Sequence, residues 1–229
     1  IIIGGIETTI DEYPFAVAVL FDSNDRWMHV CGGTIINDRS FLSAASCYWG
    51  LSPSQIRARV GSSLAHIAGS VYDASQLILH PLYTTRSHDN DIAIVRVTSA
   101  FTFGPNVSPA AIAGPNYPIA DNSSVWVIGW GEVVPQGKPS EQIRHVEVWT
   151  VNQATCRERH FVQITDNMLC AGFLDVGGRD VCTGDTGGPL LHNNVVIGIA
   201  SRGLMCGSEI RPSIYTRVPR FIDWIQQNA

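Results

Sequence analysis

The ten residues from Asp180 to Pro189, Asp-Val-Cys-Thr-Gly-Asp-Thr-Gly-Gly-Pro, concentrate the chemistry of this chain. Two aspartates, a cysteine and three glycines in so short a stretch make sense as a tightly folded site, with the glycines supplying turns closed to other residues. Seven histidines are also available: His29, His66, His80, His88, His145, His160 and His192. No CxxC pair occurs, which argues against redox or structural zinc chemistry. Gly32-Gly33 and Gly187-Gly188 have sufficient explanations as turns, so no phosphate loop, metal set or cofactor is expected.

The elements that must position such a site are short strands. Apolar runs or period-two alternation mark Pro14–Phe21, Cys31–Ile36, Phe41–Ala45, Ile56–Val60, Gln76–Leu79 and Asp91–Val97. A stretch rich in Gly, Pro, Asn and Ser from Phe103 to Ser124 reads as a connector. Further strands are expected at Ser124–Gly131, Gln142–Trp149, Pro189–Leu191, Val195–Ala200 and Ser213–Arg217. Asn152–His160 fits a short helix or an exposed loop. After Pro219 the period changes, and Phe221, Ile222, Trp224 and Ile225 gather on one face of a terminal helix.

The 229 residues can bury a substantial core, and a net charge of −5 gives no nucleic-acid footprint. Only Lys138 among the 15 basic residues is a lysine. No segment approaches 18 uninterrupted apolar residues, so no membrane partner is expected, and the chain reads as a mature protein whose leader has been removed. Six cysteines fit three disulfides or a buried reduced set, and composition does not choose between them.

The ordered motifs resemble the chymotrypsin- and trypsin-like serine proteases over nearly the whole chain. Ile2-Ile-Gly-Gly5 is similar to the activated N-terminus of that family, and Leu42-Ser-Ala-Ala-Ser-Cys47 to the segment that carries its general base. Asp89-Asn-Asp-Ile-Ala93 is similar to the orienting-aspartate segment, and Gly184–Pro189 to the nucleophile loop. The resemblance implies an all-β fold of two six-stranded antiparallel β-barrels with a short C-terminal helix. The halves would run over 1–112 and 113–229. It also implies a secreted, extracellular protein with disulfides Cys31–Cys47, Cys156–Cys170 and Cys182–Cys206, each worth roughly 2–4 kcal/mol.

Two departures from the family stand at its chemical centre. Ser46 occupies the place of the base and Thr186 that of the nucleophile, leaving Asp91 as the matching member of the triad. A serine hydroxyl is no substitute for imidazole near neutral pH, and losing the base alone is expected to cost about four to six powers of ten. His88 is near Asp91 in sequence, but bringing it to the site is expected to require a loop reversal. Gly184 and Thr186 can still present N–H groups in an oxyanion-like arrangement. Without an imidazole, Asp91 is expected to find a buried water, Ser46, Ser201 or backbone N–H groups.

Asp180 matches the acidic base of a pocket for Arg or Lys, and Ser213 stands where an open pocket prefers glycine. Ser201-Arg202-Gly203 replaces an aromatic wall with a cation, which covers the groove, pairs with Asp180 or projects into solvent. In the activation pocket the resemblance pairs Asp185 with Ile2, yet the chain begins one residue earlier, so Asp185 needs a different partner or a displaced terminus. Asn122-Ser-Ser124 and Asn106-Val-Ser108 are possible glycosylation sites.

In these substitutions the chain is similar to the inactivated protease paralogues of the scabies mite, relatives of the group-three mite allergens. That resemblance implies a catalytically inactive homologue that binds host proteins, complement components first, and interferes with complement. The alternatives are a weakly active trypsin-like endopeptidase cutting after Arg or Lys, and a non-catalytic protease regulator or inhibitor decoy. Oligomeric state is left open.

Overall fold

The computed structural model describes residues 2–134, 136–201 and 205–229. Their order is β1 (Ile2–Ile3), β2 (Ile6–Glu7), β3 (Ala16–Ser23), β4 (Arg26–Ile35), β5 (Ser40–Ser43), β6 (Ile56–Val60), β7 (Ser70–Leu79), β8 (Ala93–Val97) and β9 (Ala111–Ile112). There follow β10 (Ser124–Gly129), β11 (Arg144–Val151), α1 (Gln153–Arg159), β12 (Met168–Gly172), β13 (Asp180–Val181), β14 (Pro189–His192), β15 (Val195–Ala200), β16 (Ser213–Arg217) and α2 (Ile222–Asn228).

Strands β3, β4, β5, β8, β7 and β6 close into one antiparallel barrel. The order β10-β14-β15-β16-β12-β11 returns to β10 and makes the second. The β3–β4 hairpin turns at Asn24 and Asp25, both at positive φ, the conformation that a tight hairpin with the right strand twist requires. On β6 the alternation is complete, with Ile56, Ala58 and Val60 inside. β7 is longer than its Gln76–Leu79 signature because most of its residues face water and carry no apolar period. The Asn152–His160 segment is helical over α1, and its start is fixed by the Asn152 side chain accepting from the N–H groups of Ala154 and Thr155.

Each barrel is clasped by the terminus of the other half. β1 pairs with β13 and β2 with β11, which carries the first residues onto the second barrel. In return Phe221 and Ile225 share the apolar core of the first barrel, and Arg96 donates to the Asn228 carbonyl at 2.7 Å. β9 lies parallel to β15. Among the described residues no helix is long and apolar enough to cross a membrane.

Candidate active site

Asp91 sits just before β8 in the seam between the barrels and is fully buried. Its carbonyl accepts the Thr216 hydroxyl from β16 at 2.7 Å, so both barrels fix its position. Ser46 arrives on a single 3-10 turn, Ala45–Cys47, that follows β5. Its N–H donates to Asp91 Oδ1 at 2.7 Å and its hydroxyl to Oδ2 at 2.8 Å. Ser201, at the end of β15, donates to the same Oδ2 at 2.6 Å. The buried carboxylate therefore has two direct hydroxyl donors and a backbone donor, as its burial requires. Burial raises its pKa above the ordinary carboxylate value, and the donors from Ser201 and Ser46 oppose that rise.

Thr186 is held from the first barrel, because its carbonyl accepts the Gly32 N–H at 2.8 Å. Next to it Gly187 adopts φ +88°, and a Cβ there would run into Ser43 Oγ and the Gly32 carbonyl. Glycine at this position is what lets the loop lie against β4 and β5. Gly184 adopts φ +96°, and a Cβ would come within 2.9 Å of Gly131 Cα. Among the described residues the N–H groups of Gly184 and Thr186 have no intramolecular acceptor, which leaves them to a ligand oxygen.

Asp185 is buried and receives the N–H of Gly131 at 2.9 Å on Oδ1 and that of Cys182 at 3.0 Å on Oδ2. Cys182 belongs to the same stretch as Asp185, whereas Gly131 follows β10. A Cβ on Gly129 would collide with its carboxylate, which explains the glycine there. Ile2 is fully buried and pairs with Val181 across β1 and β13. The question of Ile1 lies outside the described residues.

Asp180 is almost wholly buried and makes three hydrogen bonds. Ser213 Oγ donates to its Oδ2 at 2.9 Å, Gly207 N–H to Oδ2 at 3.0 Å, and Val181 N–H to Oδ1 at 2.9 Å. Burial pushes its pKa up to about 7, against the pull of those donors. The Ser213 hydroxyl also accepts the Met205 N–H at 3.1 Å, so Ser213 bridges the Asp180 carboxylate and the Met205 backbone. The expectations for Arg202 and Gly203 fall outside the described residues.

The disulfides join Cys31 to Cys47, Cys156 to Cys170 and Cys182 to Cys206. The third ties the Asp180–Pro189 stretch to the turn that carries Gly207, whose N–H bonds Asp180. Asn106 and Asn122 both lie exposed on turns. Cys156, His160 and Cys170 cluster closely, but both sulfurs are spent in a disulfide and hold no metal.

His88 places Nδ1 4.0 Å from Asp91 Oδ2. His88 and Asn90 both adopt φ +55°. His88, Ser87, His160, Ser201, Met205 and Ile214 help line a cavity of about 430 Å³.

Two antiparallel barrels with a hydroxyl-bearing glycine loop at their seam and an aspartate facing it define the class of chymotrypsin-like serine proteases. The family model described as Trypsin matches residues 2–225, and the chain belongs to that family. It is 50% identical to Trypsin CFT-1 of Choristoneura fumiferana and 49% identical to Trypsin, alkaline B of Manduca sexta, in each case over all of this chain and 91% of the relative. It is 44% identical to Achelase-1 of Lonomia achelous over the full length of both.

This likeness corrects the sequence-based assignment to inactivated mite paralogues. With it go the allergen relationship, the complement-directed role and the reading of the chain as a non-enzyme. That reading took the identities at two aligned positions, Ser46 and Thr186, as decisive for the whole, while about half of all positions follow insect trypsins. The likeness and the disulfides are consistent with a secreted protein.

Proposed function

We propose that the chain is a secreted, trypsin-like endopeptidase that cleaves proteins after Arg or Lys, with low turnover. The observation that carries this reading is the buried Asp180 carboxylate, which matches the acidic base of a pocket for Arg or Lys, in a chain about half identical to proteins named as trypsins. Asp180 selects a cationic side chain by charge. The Gly184 and Thr186 N–H groups receive the carbonyl oxygen as it becomes an oxyanion. Thr186 Oγ1 attacks the carbonyl carbon, the C–N bond breaks, and water then releases the acyl group.

Low turnover follows from the Thr186 methyl group beside the attack path and from Ser213 narrowing the pocket. The partners are therefore substrate proteins with accessible Arg or Lys. The test is hydrolysis of Arg- and Lys-terminated peptide p-nitroanilides by purified protein, with Asp180→Asn and Thr186→Ala made and purified in parallel. Turnover that both substitutions remove supports the proposal. Turnover indistinguishable from that of Thr186→Ala overturns it.

A further inference from the structure

The Asn122-Ser-Ser124 sequon stands beside a cavity that plays no part in the chemistry proposed above. Asn122, Trp149, Phe173, Asp121 and Thr155 help line this hollow of about 410 Å³, a volume within the range of small-ligand sites. The sheet register explains the placement. Ser124 on β10 pairs with Trp149 on β11, and Trp149 pairs on its other side with Gly172 on β12. Side chains of directly paired residues share a face, so the third residue of the sequon and the indole are neighbours. Gly172 has no side chain to cover the indole, and Trp149 stays half-buried.

Phe173 continues the aromatic surface, its ring 4.9 Å from that of Trp149 at an angle of 34°. The Arg179 guanidinium lies 5.2 Å from the Phe173 ring and 5.7 Å from the Trp149 ring, and steadies the pair without lining the cavity. Asp121 is steadied too, since its Oδ2 accepts Asn152 Nδ2 at 2.8 Å. The wall thus joins two aromatic rings to a carboxylate and a hydroxyl. Such a surface suits a sugar, whose C–H face packs on an aromatic face while its hydroxyl and acetamide groups take hydrogen bonds.

We infer that Asn122 carries an N-linked glycan whose first N-acetylglucosamine lies in this cavity against Trp149 and Phe173. The acceptor is exposed and its backbone is fixed. Asn122 takes φ +54°, and its N–H donates to the Thr150 carbonyl at 2.8 Å. The Thr150 N–H donates to the Ser123 carbonyl at 3.0 Å, and Ser123 Oγ to the Ala120 carbonyl at 2.8 Å. Among the described residues the Asn122 side-chain amide has no hydrogen-bond partner, so nothing in the fold competes for it.

The co-reactant is a lipid-linked diphospho-oligosaccharide. The bond from Asn122 Nδ2 to C1 of the first sugar forms, the C1–O bond to the diphosphate breaks, Nδ2 releases one proton, and the lipid diphosphate leaves. This transfer belongs to the secretory compartment. The inference therefore rests on the secreted part of the reading above and is independent of peptide cleavage.

The test uses the full chain, secreted from insect cells, with Asn106→Gln to leave a single sequon. Digestion in heavy-oxygen water with an amidase that turns glycosylated Asn into Asp, followed by peptide mass mapping, is expected to label most of Asn122. Proton NMR of the intact glycoprotein is expected to show an N-acetyl methyl signal moved upfield by the aromatic ring currents and lost in Trp149→Ala. Glycan removal is expected to lower Tm by about 2–4 °C. Asn122→Gln, which leaves the aromatic wall intact, should lack the upfield signal and match the Tm of the deglycosylated protein. An unlabelled Asn122 overturns the inference. An attached glycan whose N-acetyl methyl signals stay at their solvent-exposed position overturns it too, whatever the Tm. An upfield signal that appears only when the free disaccharide of N-acetylglucosamine is added to Asn122→Gln assigns the cavity to an external sugar, and equally overturns it. Whether the protein cleaves peptides alters none of these readouts.

Discussion

Ser213 donates its hydroxyl to the Asp180 carboxylate at 2.9 Å, so the pocket expected to bind a cation carries its own hydrogen-bond donor at the floor. That donor competes with a substrate guanidinium or ammonium for the same oxygen and takes up space beside it. Ser213→Gly is expected to raise kcat/KM for Arg and Lys peptides about tenfold, which corresponds to about 1.4 kcal/mol, while costing about 1 kcal/mol of stability through the lost bond. Steady-state kinetics and urea denaturation check the two effects together. Unchanged or lower kcat/KM would show that Ser213 does not obstruct the pocket.

Asp180 also gives the pocket a pH dependence. Its folded pKa is raised by burial to about 7, above the ordinary carboxylate value near 3.8. The unfolded chain therefore ionises first, and stability falls as pH rises from about 4 through about 7, with the full cost present above that window. Binding of a cationic side chain has the opposite sign, since it needs the anion. KM for Arg peptides is expected to fall as pH rises through about 7, and Asp180→Asn should abolish that fall while raising Tm at pH about 8. A KM that stays flat between pH 5 and 9 in the wild type would contradict it.

Ser201 offers a test of how Asp91 is kept in the seam. Its hydroxyl is one of two bonded to the same carboxylate oxygen, and both Ser201 and Asp91 are buried. Ser201→Ala is expected to destabilise the fold by about 1.5–3 kcal/mol at neutral pH, the usual range for a hydrogen bond to a charged group. The loss should shrink in acid, where Asp91 is protonated and the donor matters less. Denaturation midpoints at pH about 4 and about 7.5 measure the difference.

Thr186→Ser removes one methyl group beside the oxygen proposed to attack and keeps the hydroxyl. The expected outcome is a rise of roughly tenfold in kcat with KM little changed, because relieving a clash in the transition state lowers the barrier by about 1.4 kcal/mol. Gly184→Ala is the opposing control. At φ +96° with Gly131 Cα within 2.9 Å of the new Cβ, the turn must shift and carry its N–H away from the oxyanion. A loss of about 100-fold in kcat is expected. Single-turnover kinetics with an ester substrate separate both effects from product release.

The strand pattern was readable because burial on one face leaves a period of two, as at Ile56, Ala58 and Val60. It failed where a strand faces water on most positions, as along β7. The nucleophile loop was readable because three glycines and two aspartates are a local signature of a tight turn with buried charge. Ser46, Ser201 and a backbone N–H were foreseen as partners of Asp91 and are found there, whereas the remote donor to Asp185 was not foreseen. The donors to Asp185 are Gly131 and Cys182, the first 54 positions away.

The amino-acid order by itself marked the run of short strands, because burial on one face leaves a period, and the resemblance of its motifs to the chymotrypsin- and trypsin-like proteases implied the two barrels and the places of Ser46, Thr186 and Asp180. Tertiary structure decided what those residues touch. Ser46 and Ser201 come from different barrels to share Asp91, Ser213 bonds Asp180, and His88 lies 4.0 Å from Asp91. The physical reason is that backbone turns and inter-barrel packing, unlike hydrophobic period, set side-chain distances between residues remote in the chain.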